Sequence, residues 1–142
     1  MLGELIGDRI QFERKVKTWE EAVRKVMQPL LDEGYIQQSY VDAVIRNVNE
    51  NGPYFIIIPG FAMPHARPEC GAIKTGMAYL GLKKPVKFPG DNEVRCLVAL
   101  SGENADSHVD AMAELAEILC DEDQVKKLFK SRKAEEVKRI LK

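Results

Sequence analysis

Apolar residues recur at helical spacing early in the chain and give way to short apolar runs in its middle. Residues 8–14 fit a short first strand. Beyond Thr18, the residues Trp19, Ala22, Val23, Val26, Met27, Leu30 and Leu31 share one face of a helix. Thr18 and Glu21 form a T-x-x-E capping box at its start, Pro29 predicts a kink in its last turn, and Gly34 marks its stop. A second helix opens at Ser39, carries Val41, Val44, Ile45 and Val48 on one face, and ends at Asn51-Gly52-Pro53. Three strands are predicted next, over residues 54–58, 76–82 and 94–100. The third is almost wholly apolar, the pattern of a strand buried on both faces. Pro85, Pro89, Gly90, Asp91 and Asn92 predict turns between the second and third strands. A loop over residues 101–106 leads into a helix with His108, Met112, Leu115, Ala116 and Leu119 on one face. Two shorter helices follow, one with Val125, Leu128 and Phe129, the other with Val137, Ile140 and Leu141. This order predicts an α/β fold: a single layered domain over residues 1–142, with a small mixed β-sheet flanked by helices. The pattern does not specify the strand order.

Composition narrows the class. A length of 142 residues suffices for one buried core, and 45% hydrophobic with 30% charged residues is ordinary for a soluble globular protein. A formal net charge of −1 argues against binding nucleic acid by broad phosphate neutralisation. No segment approaches the roughly 18 consecutive apolar residues of a membrane span. Glu4, Asp8 and Arg9 interrupt the N-terminal apolar residues, unlike a signal peptide. Cys70, Cys96 and Cys120 are odd in number and contain no CxxC pair, which fits a reduced, cytoplasmic protein.

The candidate chemistry centres on His65, one of two histidines. It lies in the run Pro59-Gly60-Phe61-Ala62-Met63-Pro64-His65-Ala66-Arg67-Pro68, where three prolines restrict the backbone on both sides. A loop histidine is commonly a surface or locally hydrogen-bonded group; it is also a competent nucleophile and proton carrier. Small neighbours, Ala62 and Ala66, permit close approach, and Arg67 offers a planar cation suited to phosphate oxygens. His108 shares the apolar face of its helix, as a structural histidine would. It also stands near a helix N-terminus after an apolar strand, a favoured place for anions. Both histidines follow strand ends and are compatible with one shared pocket.

Other chemistries find less support. Two histidines without H-x-x-x-H spacing and three scattered cysteines predict no metal site. Cys70 lies five positions beyond His65 without a protease signature, which weakens a Cys–His hydrolase reading. Neither a G-x-x-x-x-G-K-[ST] loop nor a G-x-G-x-x-G fingerprint is present, so no nucleotide or other cofactor is predicted. Capping and a solvated face account for Asp106 and Asp110.

The motifs nonetheless resemble a known family. Gly60-Phe61-Ala62-Met63 before Pro64-His65, and Ser107-His108 opening a helix rich in Leu and Ala, are similar to the type-2 (mannitol–fructose) IIA components of the bacterial phosphoenolpyruvate-dependent sugar phosphotransferase system. The resemblance covers essentially the whole chain. Asn51-Gly52-Pro53-Tyr54-Phe55, the run from Pro59 to Glu69, Lys74-Thr75-Gly76 and Leu82-Lys83-Lys84-Pro85-Val86 look like the L-ascorbate-specific IIA proteins.

The resemblance implies that His65 accepts a phosphoryl group from the carrier protein HPr and passes it to a cysteine of a IIB component. IIB in turn serves the membrane component IIC. It further implies reaction through Nε2, with Nδ1 held by a hydrogen bond, and a His108 that stabilises the phosphoryl oxygens. No metal or cofactor is required. One departure stands out. Many members carry an arginine sixteen residues before the active histidine, where this chain has Asn49, with Arg46 nearby. Arg67 is then the candidate for charge stabilisation. An alternative is a regulatory IIA-type domain, nitrogen-related or regulator-associated, in which phosphorylation of the same histidine is a signal; no appended DNA-binding segment is read in this chain.

Overall fold

The computed structural model describes residues 2–142. The chain runs through α1 (Leu2–Ile6), β1 (Ile10–Glu13), α2 (Trp19–Asp32), α3 (Gln38–Asn51), β2 (Ile56–Ile58) and β3 (Gly60–Ala62). It continues through β4 (Gly76–Phe88), β5 (Asn92–Ser101), α4 (Ala105–Leu119), α5 (Glu122–Lys130) and α6 (Ala134–Ile140). The strands form one five-stranded sheet in the order β1-β4-β5-β3-β2. β1 is parallel to β4 and β3 is parallel to β5, while β4–β5 and β2–β3 are antiparallel. The predicted mixed sheet with flanking helices is therefore what the chain forms.

Alternation along the two long strands divides the interior into two layers. Ala78, Leu80, Leu97 and Ala99 face one side, where they pack with Val23, Val26, Met27 and Leu30 of α2 and Tyr40, Val44 and Val48 of α3. Met77, Tyr79, Cys96, Val98 and Leu100 face the other side, against Leu2 and Ile6, Leu115, Leu128 and Val137. Both faces of β5 are thus covered, as its unbroken apolar run predicts.

α2 begins as its capping residues predict, with Thr18 Oγ1 accepting from the Glu21 N–H. The Glu21 carboxylate returns a bond to the N–H of Lys17 rather than to that of Thr18. Pro29 does not end the helix, which runs on to Asp32. Lacking an N–H, Pro29 leaves the Lys25 carbonyl without its usual i+4 donor. The Gln11 side-chain amide, reaching from β1, donates to that carbonyl at 2.7 Å. After the last turn, Tyr35 N–H bonds to Leu30 O and Gly34 N–H to Leu31 O, which closes the helix end.

Several sequence expectations need correction. The first helix, α1, carries no predicted element. α3 starts at Gln38 after Gln37, and Ser39 is inside it; its hydroxyl donates to Cys70 O instead of capping. Residues 54–55 form a turn, with Tyr54 N–H bonded to Gly52 O, so the predicted strand begins only at Ile56. β3 forms inside the stretch read as a loop, because β5 offers it an open edge. β4 does not stop at residue 82 but continues to Phe88. Its register jumps from Gly81↔Cys96 to Val86↔Val94, and Pro85 sits inside the resulting bulge, where no ladder N–H is demanded. α4 opens at Ala105, inside the predicted loop, and buries Ala111 while Ala116 is exposed.

The Gln11–Lys25 bond yields a test. Gln11→Leu strands the carbonyl beside Pro29 and should cost about 1–2 kcal/mol in chemical denaturation. In a Pro29→Ala background, which restores an N–H for that carbonyl, the same substitution should cost clearly less. Equal costs in the two backgrounds would show that the bond does not compensate for the proline.

Candidate functional site

Two parallel strands build the site. β3 and β5 run the same way, with Ala62 opposite Leu97, so their carboxyl ends emerge at one edge of the sheet. From the end of β3 the chain passes through Met63 and Pro64 to His65. The Leu100 N–H donates to Pro64 O at 3.0 Å, which prolongs the pairing past the end of the strand. From the end of β5 the chain passes through Ser101 and Gly102 into α4, with His108 in its opening turns. The two imidazoles come together with ring centroids 4.9 Å apart.

Buried groups lock this arrangement. The Tyr40 hydroxyl, from α3, accepts from Ala66 N–H at 3.0 Å and lies 2.7 Å from Leu100 O, to which it donates. It therefore ties the His65 loop to the end of β5. Burial pushes the Tyr40 phenol well above its ordinary range and keeps it a donor. Gly102 is a space requirement: a Cβ there would lie 2.8 Å from His108 Cβ. Asn104 caps α4, its side-chain oxygen accepting from Ser107 N–H at 2.9 Å.

His65 Nδ1 lies 2.7 Å from Met63 O. A carbonyl oxygen only accepts, so Nδ1 carries the proton and Nε2 is left as the basic nitrogen. The Tyr54 hydroxyl donates to the backbone carbonyl of His65, and the Tyr54 ring stands edge-on to the imidazole at 5.5 Å. Burial pushes the His65 imidazole below its ordinary 6.5, against a smaller upward pull from Met63 O. His108 is lowered too, by burial first and by His65 second. Its Nε2 is buried and has no hydrogen-bond partner among the described residues.

Both histidines open into a cleft of about 940 Å³. Arg67 lines it, is exposed, and takes part in none of the ion pairs found among the described residues. Cys70 lines the same cleft, but its thiol makes no hydrogen bond to His65 among the described contacts. Asn49 and Arg46 are exposed on α3 and are not among the lining residues; Asn47 and Asn51, one helical turn apart, are. The cleft thus pairs a basic imidazole nitrogen with a second, unsatisfied imidazole, the first turn of α4 and a free guanidinium. Such a set suits attack on, and charge balance around, a small anion. Among the described residues, His, Cys, Asp and Glu nowhere gather in a group of three or more that would hold a metal ion.

Sequence reasoning singled out His65, His108 and Arg67, and all three meet here. It passed over Tyr40, Tyr54, Gly102 and the Met63 carbonyl. Tyr40 reads in sequence as one more apolar helix position, and nothing local announces its hydroxyl's partners. Gly102 offered a signal, as a glycine placed between a strand and a helix.

Comparison with known proteins places the chain in a family. Residues 5–142 match the family described as phosphoenolpyruvate-dependent sugar phosphotransferase system, EIIA 2. The mannitol-specific cryptic phosphotransferase enzyme IIA component of Escherichia coli K12 is 47% identical over 114 residues, 80% of this chain and 78% of that protein. The solution structure of the E. coli mannitol-specific cryptic IIA superimposes with a TM-score of 0.93 and 40% identity, covering 99% of this chain and 97% of that one. The ascorbate-specific EIIA component of E. coli K12 is 34% identical over 131 residues, 90% of this chain and 85% of that protein. The IIA of an E. coli complex between mannitol enzyme IIA and phosphorylated IIB matches with a TM-score of 0.83 at 25% identity, covering 95% and 94% of the two chains. The chain belongs to the type-2 EIIA family of the phosphoenolpyruvate-dependent sugar phosphotransferase system, whose members are phosphotransferase components.

Proposed function

We propose that residues 1–142 act as one cytoplasmic phosphoryl-carrier domain, with His65 as the acceptor. The group arrives from phospho-HPr and leaves for a cysteine of a cognate IIB, which serves the membrane component IIC. The observation that carries this reading is the bond of His65 Nδ1 to Met63 O at 2.7 Å, beside a second imidazole at 4.9 Å. It holds the tautomer in which Nε2 is the nucleophile. In the first step the Nε2 lone pair forms the new N–P bond while the N–P bond of the donor histidine breaks. The Nδ1 proton stays in its bond to Met63 O and spreads the positive charge of the phosphorylated ring. In the second step a thiolate of IIB forms a P–S bond as the Nε2–P bond breaks. Both steps demand alignment and charge balance rather than proton transfer at phosphorus.

His108 and Arg67 supply the charge balance in this reading. The unsatisfied Nε2 of His108 finds its partner in a phosphoryl oxygen, and the arriving dianion reverses the electrostatics that keep His108 neutral. Arg67, in no ion pair among the described residues and two residues beyond the nucleophile, takes the part played in many relatives by an arginine at the position of Asn49.

Two sugars compete. The motifs from Asn51 to Val86 favour L-ascorbate, whereas the 47% identity to the cryptic mannitol-specific component favours a mannitol-type system. The cleft meets protein partners and a phosphoryl group, so its chemistry is common to both. Transfer from the phosphorylated chain to ascorbate-type and mannitol-type IIB proteins discriminates them. Efficient labelling with transfer to neither would favour the regulatory use of the phosphohistidine.

Three outcomes follow for the carrier itself. Incubation with phosphoenolpyruvate, enzyme I and HPr should add one acid-labile phosphoryl group, lost in His65→Ala; a labelled His65→Ala protein would sink the assignment. His108→Ala should still accept the group but donate it to IIB at least about ten-fold more slowly, the cost of one charge-assisted contact. Normal donation would return His108 to a packing role.

Arg67→Gln should slow acceptance by a similar factor while leaving the unfolding midpoint unchanged, because the side chain is exposed and unbonded; unaltered single-turnover rates would remove Arg67 from the site.

The pH response has a definite sign. With the folded-state value of His65 lowered by burial, its neutral, nucleophilic form persists below the ordinary midpoint of about 6.5 and is lost only at more acid pH. Imidazole NMR titration should place His65 below that midpoint, and an unshifted or raised midpoint would contradict the buried, Nδ1-bonded geometry. Phosphorylation should raise the His108 midpoint.

A further inference from the structure

At the opposite end of β5 from His65, a second concavity carries a different chemistry. Arg95, Lys126, Phe129, Lys130 and Arg132 line a pocket of about 390 Å³, with no acidic residue among them. Arg95 precedes Ser101 by six strand residues, which places the pocket roughly 20 Å along the strand from the histidine cleft. None of its four cations joins an ion pair among the described residues. Glu136, at the start of α6, is engaged elsewhere: its carboxylate accepts from the backbone N–H groups of Arg132 and Lys133. Glu93 and Asp91 line the neighbouring concavity, which shares Arg95 and Phe129.

The pocket is also held in shape. Arg132 Nη1 donates to the carbonyls of Phe129 and Ser131, closing the carboxyl end of α5. Arg95 Nη1 donates to Lys83 O inside the β4 bulge. The Phe129 ring lies against Gly60, where a Cβ would meet it at 2.9 Å. Each arginine spends one Nη on backbone and keeps further N–H groups for a ligand. Four like charges lining one concavity repel one another until an anion sits among them.

We propose that this pocket is a binding site for a phosphate-bearing anion. The arginines provide fixed, forked donors, the lysines provide adaptable charge, and Phe129 offers an apolar wall. Being remote from His65, the pocket can be filled whether or not the histidine is phosphorylated. The phosphate is carried by a soluble molecule or by a lipid headgroup, and the same side chains would recognise either.

The test uses the full chain, with inorganic pyrophosphate as the soluble probe and vesicles of phosphatidylcholine with or without phosphatidylglycerol as the membrane probe. Pyrophosphate should give saturable amide and side-chain NMR shifts centred on Arg95, Lys126, Phe129, Lys130 and Arg132. The pair Lys126→Gln and Lys130→Gln, both exposed, should weaken binding roughly ten-fold. The pair Lys15→Gln and Lys17→Gln makes the same change in net charge elsewhere and should not. Binding only to phosphatidylglycerol vesicles, abolished by the Lys126/Lys130 pair, would assign the phosphate to a lipid. Saturable binding of neither probe, or equal loss in both lysine pairs, would overturn the proposal. Phosphoryl acceptance by His65, measured on the same variants, should be unchanged, so the outcome at this pocket is read independently of the carrier reaction.

Discussion

The parallel pairing of β3 with β5 is the constraint on which the cleft depends. β3 has only three residues and would form no strand alone. Laid against a strand buried on both faces, it gains a ladder whose direction sends Met63, Pro64 and His65 out beside Ser101 and Gly102. An antiparallel β3 would deliver His65 to the other end of the sheet, some 20 Å from His108 by strand length. The Leu100–Pro64 bond and the Tyr40 hydroxyl then carry the pairing beyond the strands, into the loop itself. A residue of the α3 layer thereby holds the edge where two strands end.

Within that frame, the chemistry of the imidazole is set by short-range contacts. The Met63 carbonyl selects the tautomer, Tyr54 grips the His65 carbonyl, and burial lowers the affinity of the ring for a second proton. Gly102 lets His108 approach closely, so each imidazole lies in the field of the other. Two imidazoles side by side, one with a nitrogen unsatisfied among the described residues, form a site suited to an anion. This is preorganisation: the dipoles are oriented by the fold, before any charge arrives.

The molecule has two electrostatically distinct poles. At the carboxyl ends of β3 and β5, polarity comes from imidazoles, amides and a helix start, with Arg67 the exposed cation and Glu69 an exposed carboxylate among the cleft residues. At the amino end of β5, it comes from four cations set around Phe129. A net charge of −1 conceals this division, although Asp91 and Glu93 line the concavity next to the four cations. The β4 bulge belongs to the second pole: it brings the Lys83 carbonyl within reach of Arg95 while Pro85 occupies a place that needs no donor.

The amino-acid sequence by itself determined the elements whose signals are local. The helical stripe from Trp19 to Leu31, the Thr18 cap and the doubly apolar β5 are written in neighbouring residues, and so are the His65 motif and the family resemblance. Each rests on periodicity or on spacing within a few positions. The signals failed where a partner distant in the chain decides the outcome. β3 exists because β5 has a free edge; Pro29 is tolerated where Gln11 reaches Lys25 O; Ser39 abandons the cap for Cys70 O. Only tertiary structure could bring His65 to His108, because they stand forty-three positions apart in the chain and strand direction, which no local pattern encodes, decides whether they meet. For the same reason the clustering of Arg95 with Lys126, Lys130 and Arg132 is invisible in the chain, where the arginine stands in a strand and the other cations lie on and just beyond a helix.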